Sequence, residues 1–144
     1  MRADRAAGTV SRITRVRAAG PDHQVVTVEG GRSGYCRKPC QDCPWRKDAV
    51  GIFPAEAFRH SAATAYDMSE RVFSCHTAGA ERTKACAGFL LSGADHNLAV
   101  RLMHMRGELA EPISDGGHAL FASYREMAEA NGVDPADPVL ARCR

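Results

Sequence analysis

Residues 39–46 read Pro-Cys-Gln-Asp-Cys-Pro-Trp-Arg, which sets Cys40 and Cys43 three positions apart. Two sulfurs at that spacing can face one cation while their backbone turns around it. Further along, Phe73-Ser74-Cys75-His76 and Cys86-Ala87-Gly88 supply a looser second pair across a ten-residue loop. Cys40, Cys43, Cys75 and Cys86 together predict a tetrahedral site that staples the middle of the chain. Zinc is the favoured guest, because it prefers tetrahedral sulfur and nitrogen, and four protein ligands leave no open position for a substrate. A 4Fe-4S cluster is the rival: four thiolates also hold a four-iron cube, and Cys43-Pro44 echoes the Cys-Pro that ends many ferredoxin ligand runs. Packing alone is the weaker explanation, since glycines, prolines and charged residues surround these cysteines where a core strand would have apolar neighbours.

Other chemistries share parts of this pattern. Cys36-x-x-x-Cys40-x-x-Cys43 has the ligand spacing of radical S-adenosylmethionine enzymes, but those need a large α/β barrel and only about a hundred residues follow, without alternating strands and helices. Arg37, Lys38 and Arg46 would lower a thiol pKa in a thioredoxin-like dithiol. No βαβ pattern surrounds the pair, however, and Trp45 follows the cysteines rather than preceding them. His76 neighbours a ligand, and adjacent residues seldom both turn inward. It is therefore expected to hydrogen-bond a thiolate, with direct ligation by His76 or Cys36 as the alternative. Cys143 reads as a spare thiol. Asp95-His96-Asn97 resembles part of a ββα-metal nuclease, but there the Asp-His lies between the cysteine pairs, whereas here all four candidate ligands precede it. Asp95 reads instead as a helix cap. The sequence contains no Gly-rich phosphate loop, Gly-x-Ser-x-Gly elbow or His-Glu-x-x-His helix.

The 144 residues, 44% hydrophobic and 25% charged, suit one globular domain. The longest apolar run, around Phe89-Leu90-Leu91, is far short of the roughly 20 residues that span a bilayer. Residues 1–20 contain no apolar stretch of a signal peptide, so a cytoplasmic location with no membrane partner is expected. In a reducing compartment, six cysteines point to metal ligands or free thiols rather than disulfides. Net charge is +2, unevenly spread. Residues 1–38 carry eight basic and three acidic side chains, and the remainder eleven and fourteen. Such an arm, with Arg12, Arg15 and Arg17 at its centre, is a candidate nucleic-acid contact. No aromatic residue is interleaved with these arginines before Tyr35, so base stacking is not supported.

Three regions result: a basic arm with a possible hairpin over 1–35, a four-cysteine α+β domain over 36–132, and an irregular tail over 133–144. His23–Glu29 is β-branched and reads as a strand, with Thr9–Arg17 its partner across Gly20-Pro21-Asp22. Pro54 suits the first position of a helix running to about Tyr66, with Phe58, Ala62 and Ala65 on one face. Arg71–Ser74 reads as a short strand delivering Cys75. Asp95 is expected to cap a helix whose Leu98, Leu102, Met105 and Leu109 share a face. Leu120, Tyr124 and Met127 do the same for a last helix closed by Asn131-Gly132. About three helices and a small antiparallel sheet are thus expected.

Pro39-Cys40-x-x-Cys43-Pro44-Trp45-Arg46-x-Asp48, Gly51, Phe73-x-Cys75-His76, Cys86-Ala87-Gly88-Phe89-Leu90 and Leu98-Ala99-Val100-Arg101-Leu102 together resemble a group of small proteins from actinobacteria and their phages, known only as a domain of unknown function. The resemblance runs from about residue 36 to 106. It implies a metal-binding domain whose four cysteines correspond to Cys40, Cys43, Cys75 and Cys86, with the histidine after the third. Cys36 is extra to that pattern. It also suggests that Trp45 packs over the first pair and shields the sulfurs, that Arg46 offsets thiolate charge, and that Arg101 assists. No activity comes with it. The expected role is a non-enzymatic, metal-binding accessory or regulatory module whose partner is nucleic acid or protein, with an iron–sulfur or thiol redox protein as the alternative.

Overall fold

The structure, a computed structural model, describes residues 12–21, 23–29, 34–77 and 83–143. Two antiparallel strands, β1 (Arg12–Ala18) and β2 (Gln24–Glu29), form a ribbon. Four α-helices follow: α1 (Ala55–Ser61), α2 (Ala87–Ser92), α3 (Leu98–Met105) and α4 (Tyr124–Ala130). This is the expected α+β domain, with one helix more. The added helix is α2, which begins directly after Cys86.

The ribbon carries a register shift between Ile13 and Arg15, so two residues of β1 oppose one step of β2. It stands against α1 and the residue Phe53 ahead of it. His23 meets Phe53 edge to face at 5.7 Å, and His60 Nε2 lies 3.2 Å from the Ala18 carbonyl. Part of the predicted partner strand, Thr9–Ser11, lies outside the described residues, as do Asp22 of the turn and Gly30, Gly31 and Arg32.

The core is built around Trp45, Phe89, Tyr124, Met127 and Leu140, all fully buried. Trp45 meets Phe73 and Tyr124 edge to face, each at 6.0 Å, the favoured arrangement of aromatic quadrupoles. The expected face of α1 is present: Phe58, Ala62 and Ala65 are buried, although the last two belong to a 3-10 turn (Ala62–Ala65) that extends the helix.

Two expectations are corrected. The cap of α3 is Asn97 rather than Asp95: its side chain accepts from the Val100 amide at 3.0 Å. It also donates to the Arg71 and Thr64 carbonyls at 2.7 and 3.3 Å. The buried face of α3 is Val100 and Met103, whereas Met105 is 82% exposed and Leu109 lies beyond the helix end. The tail adds to the core. Pro138–Leu140 forms a 3-10 turn capped by Asp137, Leu140 is fully buried, and Tyr66 donates to the Val139 carbonyl at 2.9 Å. Residues 133–143 therefore close the core.

Candidate metal centre

Backbone pairing gathers the cysteines. Ala85 forms a parallel bridge with Tyr35 on one side and an antiparallel bridge with Ser74 on the other. Those bridges bring Cys36, Cys75 and Cys86 to one place: the Cys36 amide donates to Ala85, the Cys75 amide to Lys84, and the Cys86 amide to Phe73, at 2.9, 2.7 and 2.9 Å. The predicted strand Arg71–Ser74 reduces to the single bridge at Ser74. Cys40 and Cys43 arrive on a tight turn in which the Cys43 amide donates to the Cys40 carbonyl at 3.2 Å and the Arg46 amide to Cys43 at 2.9 Å. Asp42 takes the left-handed conformation inside that turn, with φ 59°, a geometry that short polar side chains tolerate better than most.

All six cysteines are free thiols. Cys43 and Cys86 are buried with their sulfurs 3.6 Å apart, far longer than a disulfide bond. Cys43 also interacts with Cys40, Cys40 with Cys75, and Cys75 with Cys36. Cys86, Cys43, Cys40, Cys75 and Cys36 thus form one set of mutually interacting thiols. Among the described residues, no group of three or more His, Cys, Asp or Glu side chains is placed to hold a metal ion.

The surroundings already favour charge on part of that set. A hydrogen bond from Cys86 holds Cys43 down to about 7, against the opposing effect of burial, with help from the Trp45 amide and the charge of Arg46. Cys86, giving that hydrogen bond from a buried position, is held well above the ordinary thiol range. Burial works against ionisation of Cys75, but the Thr77 hydroxyl, 3.1 Å away, and the Thr77 amide bring it below its ordinary value. Burial raises Cys36 to about 11 and Cys40 to about 12, and the charge of Cys75 adds to both. Amides two residues on, at Trp45, Thr77 and Gly88, face the sulfurs of Cys43, Cys75 and Cys86 respectively. Donors aimed at sulfur stabilise a thiolate.

One sulfur pair, Cys43 and Cys86, has the spacing that a single ion would ask for. Four sulfurs held about 2.3 Å from one zinc stand about 3.8 Å apart along a tetrahedral edge, close to the 3.6 Å between Cys43 and Cys86. A four-iron cube takes one cysteine at each iron corner and so needs its sulfurs farther apart.

The neighbours divide. His76 directs Nε2 to the Gln41 carbonyl at 3.1 Å and its ring against Phe53 at 5.2 Å, bracing the Cys40–Cys43 turn from outside. Trp45 lies at the centre of the core, in one buried cluster with Cys43 and Cys86. It is enclosed by Gly88 and Gly93 at the two ends of α2, where a Cβ would collide with its side chain. Arg46 pairs with both Asp48 oxygens at 2.8 and 2.6 Å and reaches the Cys40 carbonyl at 3.3 Å. Arg101 donates to the Met68 sulfur at 3.8 Å and borders a cavity of about 500 Å³ with Asp95 and His96, so it does not join the cysteines. His96 Nε2 lies 2.6 Å from the Ala65 carbonyl, and the Asn97 side chain is taken up by the backbone of residues 64, 71 and 100. Cys143 stays apart, 3.6 Å from the Ala62 carbonyl. On the ribbon, Arg15 is exposed and Arg17 Nη1 lies 3.5 Å from His60 Nδ1, while the side chain of Arg12 is outside the described residues. Sequence reasoning missed Thr77, whose hydroxyl bonds Cys75. A hydroxyl two residues past a predicted ligand was the available signal.

No curated protein and no solved structure matches the chain. One family model does, over residues 35–144, and it therefore takes in the tail as well as the cysteine-bearing middle while leaving the ribbon outside. The chain belongs to a family of unknown function, DUF6283.

Proposed function

We propose that this protein is a metal-binding accessory or regulatory module of the cytoplasm. One zinc ion held by Cys40, Cys43, Cys75 and Cys86 organises its domain for contact with nucleic acid or a protein partner. The observation that carries the reading is the Cys43–Cys86 pair, buried, unbonded and 3.6 Å apart, continued by Cys40 and Cys75. Ligation asks those two outer thiols to close on the inner pair. The ion would supply cross-linking rather than reactivity, because four protein ligands leave it no open position.

The size of that effect decides its importance. Structural zinc contributes an apparent ~10–16 kcal/mol in zinc-finger peptides, comparable with the ~5–15 kcal/mol stability of a whole domain. Elemental analysis of the anaerobically purified chain tests the proposal. A colourless preparation with one zinc per chain is expected. A brown one, absorbing at roughly 400 nm, would support the iron–sulfur alternative, and metal-free, fully folded protein would refute both.

The nucleic-acid partner is supported by the basic excess of residues 1–38 and by the exposed Arg15 on a two-stranded ribbon, an element that a major groove admits. Binding of duplex DNA should weaken steeply with salt, and more so in the wild type than in Arg15→Ala. Affinity indifferent to salt, or no binding, would leave a protein as the partner.

A further inference from the structure

The cavity of about 500 Å³ has no cysteine in its lining; Asp67, Asp95, His96 and Arg101 border it, with Ser92 and Ser123 beside them. Its size is that of a small-molecule pocket. Its walls come from separate stretches of chain that are tied together. The Met68 amide donates to the His96 carbonyl at 2.9 Å and the Leu98 amide to the Ser69 carbonyl at 2.8 Å, so the turn that carries Asp67 is fixed to the one that carries Asp95. Met68 takes the left-handed conformation in that turn, with φ 60°, which a long side chain rarely adopts. The buried Asn97 side chain holds the same junction through the Thr64 and Arg71 carbonyls. Gly93 completes the wall and rests on the Trp45 ring, where a Cβ would collide.

The charges around this cavity do not neutralise one another. Among the described residues, no carboxylate lies within ion-pair distance of the Arg101 guanidinium. Arg101 donates instead to the Met68 sulfur at 3.8 Å, a weak acceptor. Asp95 is exposed, and the cap of α3 is Asn97 instead. His96 Nε2 faces the Ala65 carbonyl at 2.6 Å. A carbonyl can only accept, so Nε2 carries the proton and the neutral ring keeps Nδ1 as an acceptor. The cavity thus offers one planar guanidinium, two carboxylates and an imidazole acceptor. A guanidinium is best matched by a carboxylate held through two parallel hydrogen bonds, and carboxylates by cationic nitrogen.

We propose that this cavity binds a basic α-amino acid, with its carboxylate on Arg101 and its ammonium and side-chain cation against the acidic wall of Asp95 and Asp67. With His96 neutral, two anionic groups and one cationic group of the protein meet one anionic and two cationic groups of the ligand, and the charges balance. A purely anionic ligand would face two like charges, and a polyamine would leave the guanidinium unmatched. The site shares no residue with the cysteine set and does not depend on a bound metal.

Isothermal titration calorimetry of the full chain with L-arginine is the test. Saturable binding is expected. Agmatine, which lacks the carboxylate, and N-acetyl-L-arginine, which lacks the ammonium, should each bind at least about tenfold more weakly. Arg101→Gln should weaken L-arginine binding by at least about tenfold, for loss of the paired donors. Arg106→Gln removes the same charge just past the end of α3, where Arg106 faces Glu108 at 3.9 Å, and should leave the affinity within about twofold of wild type. No saturable binding of L-arginine up to about 10 mM, agmatine or N-acetyl-L-arginine binding as tightly as L-arginine, or equal affinities in wild type and Arg101→Gln overturns the proposal. The ligand series on wild-type protein decides the matter even if the variant folds poorly.

Discussion

Trp45 has no spare space around it. Gly88 and Gly93 lie against opposite parts of its side chain, and a methyl group at either would overlap it. Gly88→Ala should therefore destabilise the protein by about 1–3 kcal/mol, the usual cost of overpacking. Denaturant titration measures this, and an unchanged midpoint would contradict the packing. Asn97 gives a second contrast. It is fully buried and serves two carbonyls and an amide, so Asn97→Ala should cost about 1–3 kcal/mol by leaving them unpaired. The exposed Asp95 should be replaceable by Ala within about 0.5 kcal/mol; equal losses at both positions would restore Asp95 as the cap. In the metal-free protein, the depressed Cys43 implies that one thiolate is already half formed near pH 7, whereas an ordinary thiol would wait until about 9. Ultraviolet thiolate absorbance should show that step, and Cys86→Ala should move it upward by removing the donor. At this scale residue type and spacing mark Cys40, Cys43, Cys75 and Cys86 as candidate ligands, because ligand chemistry would dictate both. The choice between Asp95 and Asn97 was not, since either can cap and only the distant carbonyls of Arg71 and Thr64 decide.

Among the elements, α3 shows why a short helix is hard to read. Its eight residues offer two apolar faces, one through Leu98, Leu102 and Met105 and one through Val100 and Met103. Packing against the rest of the core selects the second. The tail was opaque for a related reason. Pro135 and Pro138 mark irregular backbone correctly, but irregular backbone can still bury a side chain, and Leu140 does so. Leu140→Ala should cost about 2–5 kcal/mol by opening a cavity, read as a fall in thermal midpoint; a shift within error would return the tail to the surface. The ribbon, α1 and the close of α4 at Asn131-Gly132 were legible from β-branched composition, a proline start and a glycine stop. The helix α2 was hidden because its six residues are too few for a periodic pattern.

For the whole molecule, the cysteines and the core are one construction. Cys43 is two residues from Trp45, Cys86 two from Gly88, and Cys75 two from Phe73, so the segments that bring sulfurs together also bring the aromatic centre together. An ion that pins those segments would act directly on the core. Stripping the metal by chelation should therefore collapse the circular dichroism of the folded state, and an unchanged spectrum with the metal gone would oppose a structural role. X-ray absorption at the zinc edge of the anaerobically purified chain tests the central claim most directly. The prediction is one zinc with four sulfur neighbours at about 2.3 Å. A first shell dominated by nitrogen and oxygen, or a chain carrying no metal while fully folded, would contradict it.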